Sequence, residues 1–343
     1  MDTNLVASEK SGPRACARAI AVGALAALAA LLPGSATAQQ NSWRPDKPVE
    51  LVVPTAPGGA IDGLARVIQK IIQTHKIVES PVVVLNKPGG GQTIAMTYLD
   101  QHANDAHYVL VSTMSVMTNH ILGRSKSNYT DYTPIAMLYG EPMTVVVRPD
   151  SPIKSARDIQ ERLRKDPQAM PIGVGIAVGG TNHLAVALVV SAMGVDVKKL
   201  KTVVFQANAE AQTALMGGHV AIAPMSVAAA LNAARQGRLR IIGVSSAQRG
   251  EGELASIPTW REQGLDVAFT NTRFLLAPKG LTAQQTAYWD AVTARIVKTP
   301  EWKEQAEKNY WELEYAPSSE APARLAAIYK QLRVGLTEVG LAK

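Results

Sequence analysis

Short β-branched runs alternate with longer amphipathic segments along most of the chain, and this alternation constrains the fold more than any other feature. The predicted strands cover residues 49–53, 82–85, 108–111, 135–139, 144–147, 172–174, 202–205, 220–222 and 239–244. Helical periodicity lies between them at residues 62–73, 184–193, 210–216 and 227–236. Strands separated by helices of this length favour parallel sheets with helices on both faces. After Pro278 the pattern predicts helices only, at residues 283–297, 301–309 and 322–339.

Two segments have the features of crossings between lobes. One is at residues 140–142, just before a predicted strand, and the other is at residues 271–273. Two crossings mean that the chain builds part of one lobe, all of a second lobe, and then returns to the first. The predicted first lobe comprises residues 39–141 and 272–343, with the C-terminal helices packed on it. The predicted second lobe comprises residues 142–271.

The first 38 residues have the features of a secretory signal peptide. Three basic residues precede an uncharged Ala/Leu-rich run at residues 19–32, which is too short to span a bilayer. Ala36 and Ala38 then place small residues at the two positions that a signal peptidase recognises, so we expect cleavage after Ala38. We expect export to the periplasm by the Sec pathway. Cys16 is the only cysteine, so the mature chain is expected to contain none.

Charge and motif content argue against several function classes. The formal net charge is +7, but basic residues are spread along the chain rather than clustered, which is not typical of nucleic-acid binding. A Gly-x-Ser-x-Gly nucleophile motif is missing, and no two histidines have metal-binding spacing. We therefore predict no enzyme activity, no metal and no cofactor, although a spatial triad could still form from residues far apart in sequence.

The loop after the first predicted strand is the first candidate binding site. Its sequence, Pro-Thr-Ala-Pro-Gly-Gly-Ala-Ile-Asp over residues 54–62, joins that strand to a helix. Ligands of open α/β sheets bind beyond the carboxyl ends of strands, and a helix N-terminus there attracts a carboxylate. The alternative interpretation is a structural glycine turn capped by Asp62.

A second glycine-rich loop covers residues 173–183. Its glycines free backbone amides to contact an anion, and Thr181 or Asn182 is a candidate helix N-cap. The dinucleotide pattern Gly-x-Gly-x-x-Gly fails because its sixth position is Val178. His183, alone at a helix start, is more typical of a satisfied capping-turn residue than of a ligand contact.

Two further segments follow strands of the first lobe. The loop at residues 86–93 is rich in glycine but lacks the ending of a phosphate-binding loop, so we interpret it as mainly structural. Ser112 and Thr113 follow the third strand, where their hydroxyls could line the same cleft or cap a helix.

The ordered series of motifs resembles the substrate-binding proteins of tripartite tricarboxylate transporters, the Bug receptor family. The resemblance extends from about Pro48 to the C-terminus and rests on Val52-Val53-Pro54, Pro57-Gly58-Gly59, Asp62, Asn86-Lys87-Pro88-Gly89, Asp131-Tyr132-Thr133-Pro134-Ile135-Ala136, Gly179, His183-Leu184-Ala185, Leu215-Met216-Gly217-Gly218-His219-Val220, Ile257-Pro258-Thr259, Glu262, Gly264 and Leu276-Ala277-Pro278. It implies a bilobed α/β periplasmic binding protein of type II, with two mixed or parallel sheets. It further implies a carboxylate held by backbone amides, hydroxyls and bridging waters. Combined with the loops above, it predicts these ligand-contact residues: Ala56, Pro57, Gly58, Gly59, Asp62, Ser112, Thr113, Gly179, Gly180, Thr181, Asn182, His183, Gln206 and Met225.

Departures from the family pattern bear on the ligand. The acidic residue usual after the strand near Ile222 is replaced by Ala-Pro-Met at residues 223–225, which disfavours a ligand carrying an ammonium group. An aromatic pair usual near the second crossing is replaced by Thr272 and Arg273. Arg273 could meet a second ligand carboxylate, but we expect it to point to solvent.

The predicted function is capture of a small organic carboxylate, a di- or tricarboxylate or an aromatic carboxylate, for uptake by a membrane permease. The alternative is a receptor or sensor that uses the same cleft without a dedicated permease; a hydrolase is the weakest alternative. We expect no nucleic-acid partner and a monomer, with permease subunits of a tripartite transporter as protein partners.

Overall fold

The computed structural model describes residues 42–175 and 177–342, which form ten strands and ten α-helices. The strands are β1 Val49–Val53, β2 Val82–Asn86, β3 Tyr108–Thr113, β4 Thr133–Val147, β5 Ile172–Gly175, β6 Thr202–Phe205, β7 Ala223–Ser226, β8 Arg240–Val244, β9 Thr270–Ala277 and β10 Glu312–Pro317. The helices are α1 Ala60–Thr74, α2 Thr93–Asp100, α3 Ser115–Ile121, α4 Ala156–Lys165, α5 Thr181–Ala192, α6 Asn208–Met216, α7 Val227–Arg235, α8 Ala283–Ile296, α9 Pro300–Asn309 and α10 Ala321–Glu338.

A first strand group has the order β10-β4-β9-β3-β1-β2. β1 is parallel to both β2 and β3, whereas β9 runs antiparallel to β3 and to β4. Alternate residues of β1 face opposite sides of the sheet, so Leu51 and Val52 belong to different hydrophobic clusters. The carboxyl ends of the parallel strands β1, β2 and β3 therefore lie at one edge, where the first-lobe candidate residues follow them.

The helix that follows β1 is fixed to the sheet by a stripe of apolar side chains. Leu64, Ile68, Ile71 and Ile72 are at most 2% exposed and recur at helical spacing. Burial of each such side chain contributes about 1.5–3 kcal/mol. The stripe sets the direction of α1, and its N-terminus lies at the carboxyl end of β1.

A second strand group shares β4 with the first. β4 pairs with β9 as far as Pro142, and from Met143 onward it pairs with β7 and β8. β5 pairs in parallel with β6, and a parallel bridge joins Ile172 to Ile222 just before β7. The segment at residues 140–142 is therefore continuous strand, and it is where β4 exchanges one set of partners for another.

Three predictions about elements are wrong. The C-terminal region is not purely helical, because β10 pairs antiparallel with β4, with Glu312 opposite Gly140. The strand predicted at residues 220–222 is displaced to β7, since the ladder with β4 begins only at Ala223. Predicted segments 135–139 and 144–147 are parts of the single strand β4.

The last helix packs across both parts of the chain. Leu332 and Leu336 of α10 are buried in one cluster with Leu184 of α5. A Cβ atom on Gly335 would lie 2.8 Å from Leu188 Cδ2, so glycine permits the close approach of α10 to α5. α10 is therefore not confined to the first strand group.

None of the helices within residues 42–175 and 177–342 combines the length and apolarity needed to cross a membrane. The predicted signal peptide and its cleavage after Ala38 lie outside the described residues.

Candidate functional site

The loop between β1 and α1 is exposed at Ala56, Pro57, Gly58 and Gly59. Gly59 is the N-cap of α1, and no side chain caps this end of the helix. The first amides of an α-helix have no partner within the helix, so those of α1 can bind a ligand oxygen or water.

Asp62, in the first turn of α1, holds this loop in place by hydrogen bonds. It is 2% exposed, and its carboxylate accepts the Gly58 N–H at 2.9 Å, Arg66 Nε–H at 2.8 Å and Asn86 Nδ2–H at 2.9 Å. These interactions, led by the Arg66 guanidinium, hold the pKa of Asp62 at about 2. The carboxylate is ionised and already surrounded by donors. The contacts of Asp62 therefore agree with the alternative interpretation, in which Asp62 stabilises a structural turn. Direct contact between Asp62 and a ligand stays a prediction.

The loop at residues 86–93 also has structural partners. Asn86 Nδ2 donates to the Thr55 carbonyl at 2.9 Å and so ties the end of β2 to the β1 loop. Gln92, buried and with a φ of 88°, donates from Nε2 to Thr113 Oγ1 at 2.6 Å and accepts from Ser112 Oγ at 3.1 Å. Ser112 and Thr113 are therefore buried and engaged with Gln92, and Thr113 Oγ1 also accepts the Ser115 N–H at 3.1 Å. This geometry agrees with the structural interpretation of the loop.

The start of α5 carries the second-lobe candidates. Gly180 is the N-cap, not Thr181 or Asn182 as predicted, and no side chain caps the helix. The first helical hydrogen bond runs from Leu184 N–H to the Gly180 carbonyl. The N–H groups of residues 181–183 therefore have no acceptor within the helix. The Asn182 side chain does not cap the helix, because its Nδ2 donates to Asn208 Oδ1 at the start of α6.

His183 is not the satisfied turn residue that the sequence favoured. It is 4% exposed, and its Nδ1 is buried without a hydrogen-bond partner among the described residues. Burial, with a further effect of the positive charge of Arg124, lowers the pKa of His183 to about 4. The imidazole is therefore neutral near pH 7 and has an unused polar atom at the start of α5.

The end of α3 meets the loop before α5. A Cβ on Gly179 would lie 2.6 Å from Leu122 Cδ1, and the backbone φ of Gly179 is +77°. Arg124, which follows α3, is exposed and close enough to affect the pKa of His183. Since α3 begins just after Thr113, it connects the carboxyl edge of the first strand group with the second glycine loop. The sequence prediction included neither Leu122 nor Arg124, because no local pattern links them to residues 179–183.

The two remaining candidates have different surroundings. Gln206 is exposed, and its N–H donates to Glu210 Oε2 at 3.0 Å. Met225 is 6% exposed within β7, and its carbonyl accepts from Thr144 Oγ1 at 3.0 Å.

Arg273 does not point to solvent, which corrects the prediction. It is 5% exposed, and Nη2 donates to Glu141 Oε2 at 2.8 Å. Arg273 Nε and Asn271 Oδ1 are buried without partners among the described residues. The ion pair joins β4 and β9 beside the position where β4 exchanges partners.

The candidates form two sets. Hydrogen bonds join the β1 loop to the end of β2, and the end of β3 to Gln92; separately, they join the α5 start to the α6 start. Among the described side chains, no hydrogen bond links the first-group set to the α5 set. Within the described parts of the chain, there is also no group of three or more histidine, cysteine or carboxylate residues placed to hold a metal ion.

A sequence model of one family matches residues 64–333: the tripartite tricarboxylate transporter family receptor. The chain belongs to this family. It is 28% identical over 334 residues to a protein from the gbd 5′ region of Cupriavidus necator, with 95% of this chain and 97% of the relative covered.

Solved structures have the same fold. A TctC solute-binding protein from Polaromonas, without ligand, is 26% identical with a TM-score of 0.70, covering 86% of this chain and 99% of its own. An R. palustris protein with adipate is 23% identical with a TM-score of 0.77, covering 87% and 99%. MatC from Rhodopseudomonas palustris with bound malate is 23% identical with a TM-score of 0.72, covering 86% and 99%.

Three predictions are thereby confirmed: the family, the bilobed α/β fold of type II binding proteins, and the assignment as a solute-binding receptor. Because the family consists of receptors, the prediction that the chain is not an enzyme is confirmed as well.

Proposed function

We propose that this receptor captures a small organic carboxylate without an ammonium group, in a cleft between its two lobes, and passes it to a membrane permease. The proposed first lobe is residues 39–141 and 272–343, and the second is 142–271; the change of partners along β4 between Pro142 and Met143 supports this division. Export to the periplasm, with cleavage after Ala38, is part of the proposal.

The observation that carries the proposal is the start of α5. An uncapped helix N-terminus has free N–H groups and a partial positive charge, which together favour an anion. The nearby charge of Arg124 has the same sign. His183, neutral and with an unpartnered Nδ1, adds a polar contact but no repulsive charge toward an anion. The uncapped α1 start supplies equivalent amides in the first lobe.

The carboxylate class agrees with two structural neighbours, whose bound ligands are adipate and malate. The site offers less to a ligand that carries an ammonium group, because few free carboxylates lie near it. Asp62, the carboxylate nearest the β1 loop, is already engaged by Gly58, Arg66 and Asn86. The loop after β5 contains no acidic residue, and Glu210, in the first turn of α6, already accepts the Gln206 N–H.

A thermal-shift experiment tests this function. The mature protein is heated with adipate, malate or aspartate, the last carrying the ammonium group that the site disfavours. A ligand present at 100 times its Kd stabilises the fold by about 2.7 kcal/mol, which raises the melting temperature of a chain of this size by about 4 °C.

Two Thr→Trp variants localise the binding. Thr181→Trp places a large side chain at the α5 start and should abolish the shift, whereas Thr337→Trp, at an exposed position on α10, should retain it. The proposal is wrong if no carboxylate shifts the melting temperature, or if Thr181→Trp retains the full shift. Uptake of the bound acid by cells lacking this receptor then distinguishes permease delivery from a sensor role.

A further inference from the structure

A groove of about 810 Å³ lies between α5, α10, β10 and the segment at residues 266–272. It runs along the flank of α5 and contains none of the predicted ligand-contact residues. Its volume is within the range of about 300–1,000 Å³ that is typical of small-molecule sites. We call it the α5–α10 groove.

The floor of the α5–α10 groove is apolar. Leu184 and Leu188 of α5 face Ile328 and Leu332 of α10, and Phe269 contributes from the segment at residues 266–272. Val334, which is 50% exposed, lies at its border. Such a floor can bury the hydrocarbon part of a ligand.

The border of the groove is acidic although the whole chain has a net charge of +7. Glu312 and Glu314 point to the same side of β10, and Asp266 and Glu338 also line the groove; among the described lining residues there is no lysine, arginine or histidine. Asp266 is paired with Arg261 at 3.0 Å. Within the described part of the chain, Glu312, Glu314 and Glu338 have no salt bridge.

Glu312 and Glu314 are partly desolvated. Burial raises the pKa of both carboxyl groups above the ordinary value, with Ser246 opposing the effect at Glu312 and Arg324 opposing it at Glu314. A cation placed between them would favour their ionised forms and replace part of the lost hydration.

Thr272 adds a hydroxyl group to the lining of the groove. Thr272 is 2% exposed and belongs to the groove lining, and its hydroxyl forms no hydrogen bond with a residue that the structure describes. The hydroxyl can therefore donate to or accept from a ligand or water in the groove.

We propose that the α5–α10 groove is a second ligand site, separate from the carboxylate site, that binds an organic cation with an apolar body. The apolar part lies on the floor between α5 and α10, and the ammonium group lies between Glu312 and Glu314. An N–H of the ligand reaches the Thr272 hydroxyl. The proposal does not depend on the identity of the carboxylate ligand.

Calorimetric titration of the mature protein tests the site with two probes of nearly equal shape, 4-phenylbutylammonium and the neutral 4-phenylbutanol. The cation should bind at least about tenfold more tightly than the alcohol, the effect of one charge-assisted contact. Its affinity should fall with added salt, because the contacts are electrostatic.

Three variants locate the binding. The double variant Glu312→Gln/Glu314→Gln keeps the side-chain shape and should remove the preference for the cation, while Glu304→Gln, at an exposed carboxylate on α9, should change nothing. Ala192→Trp, at an exposed groove position, should weaken both probes. The proposal is overturned if the cation does not bind, if the alcohol binds equally well, or if the double variant retains wild-type affinity.

Discussion

Asp62 should stabilise the protein in a way that depends on its charge. Its carboxylate is 2% exposed and accepts hydrogen bonds from Gly58, Arg66 and Asn86. We predict that Asp62→Asn destabilises the fold at pH 7 and 5, and that it does so less once the pH falls below about 4. The asparagine keeps the size of the side chain but removes the negative charge and replaces one acceptor oxygen with an NH2 donor; only the loss of the charge gives a cost that depends on pH.

The magnitude follows from the pKa. Arg66 and the other donors hold the pKa of Asp62 at about 2, against an ordinary value of 3.8. That difference corresponds to about 2.4 kcal/mol at pH 7. The Arg66 side chain is 53% exposed, so solvent screening reduces the expected effect to at most about 2 kcal/mol. Because the folded-state pKa is depressed, this stabilisation is complete above pH 3.8 and is lost as the pH falls toward 2; roughly half of it is gone by pH 3.

Urea unfolding followed by circular dichroism at pH 7, 5 and 3 measures the difference between wild type and Asp62→Asn. Arg66→Gln, which removes the leading partner, should reproduce part of the destabilisation at pH 7. The reasoning fails if Asp62→Asn costs less than about 0.5 kcal/mol at pH 7, or if its cost is the same at pH 7 and pH 3.

Three further predictions concern buried contacts. Glu141→Gln leaves the charge of Arg273 uncompensated and should lower the free energy of unfolding in urea by about 3 kcal/mol. The double variant Glu141→Gln/Arg273→Met should recover much of that loss, and a double variant as unstable as the single one would contradict this prediction. His183 has a pKa lowered to about 4 by burial, so the folded state loses up to about 2.5 kcal/mol as the pH falls from 7 to 4.5; His183→Gln should show a smaller loss, and an equal loss would refute the assignment. Gly179→Ala should cost about 1–2 kcal/mol because φ is +77° and the new Cβ would lie 2.6 Å from Leu122 Cδ1; Leu122→Ala in the same chain should make the substitution less costly, and strict additivity would argue against the clash.

Local sequence patterns identified most of the elements because they report backbone preference and burial directly. The apolar spacing of residues 62–73 predicted α1 within two residues at its N-terminal end. The strand β10 was missed because Glu312 and Glu314 occupy one side of it where apolar residues would have marked a buried strand. Its assignment depends on the ladder to β4, which is remote in sequence.

The sequence alone determined the family, the α/β class and the positions of two glycine-rich helix starts, since glycine content and strand–helix order are local properties. Only the tertiary structure decided the partners of the side chains. Arg273 is neutralised by Glu141 from another strand, and His183 has an unpartnered nitrogen because no neighbouring segment supplies a partner among the described residues. The α5–α10 groove likewise exists only where α10 returns against α5. Contacts between distant segments depend on packing in three dimensions, and no local pattern encodes them.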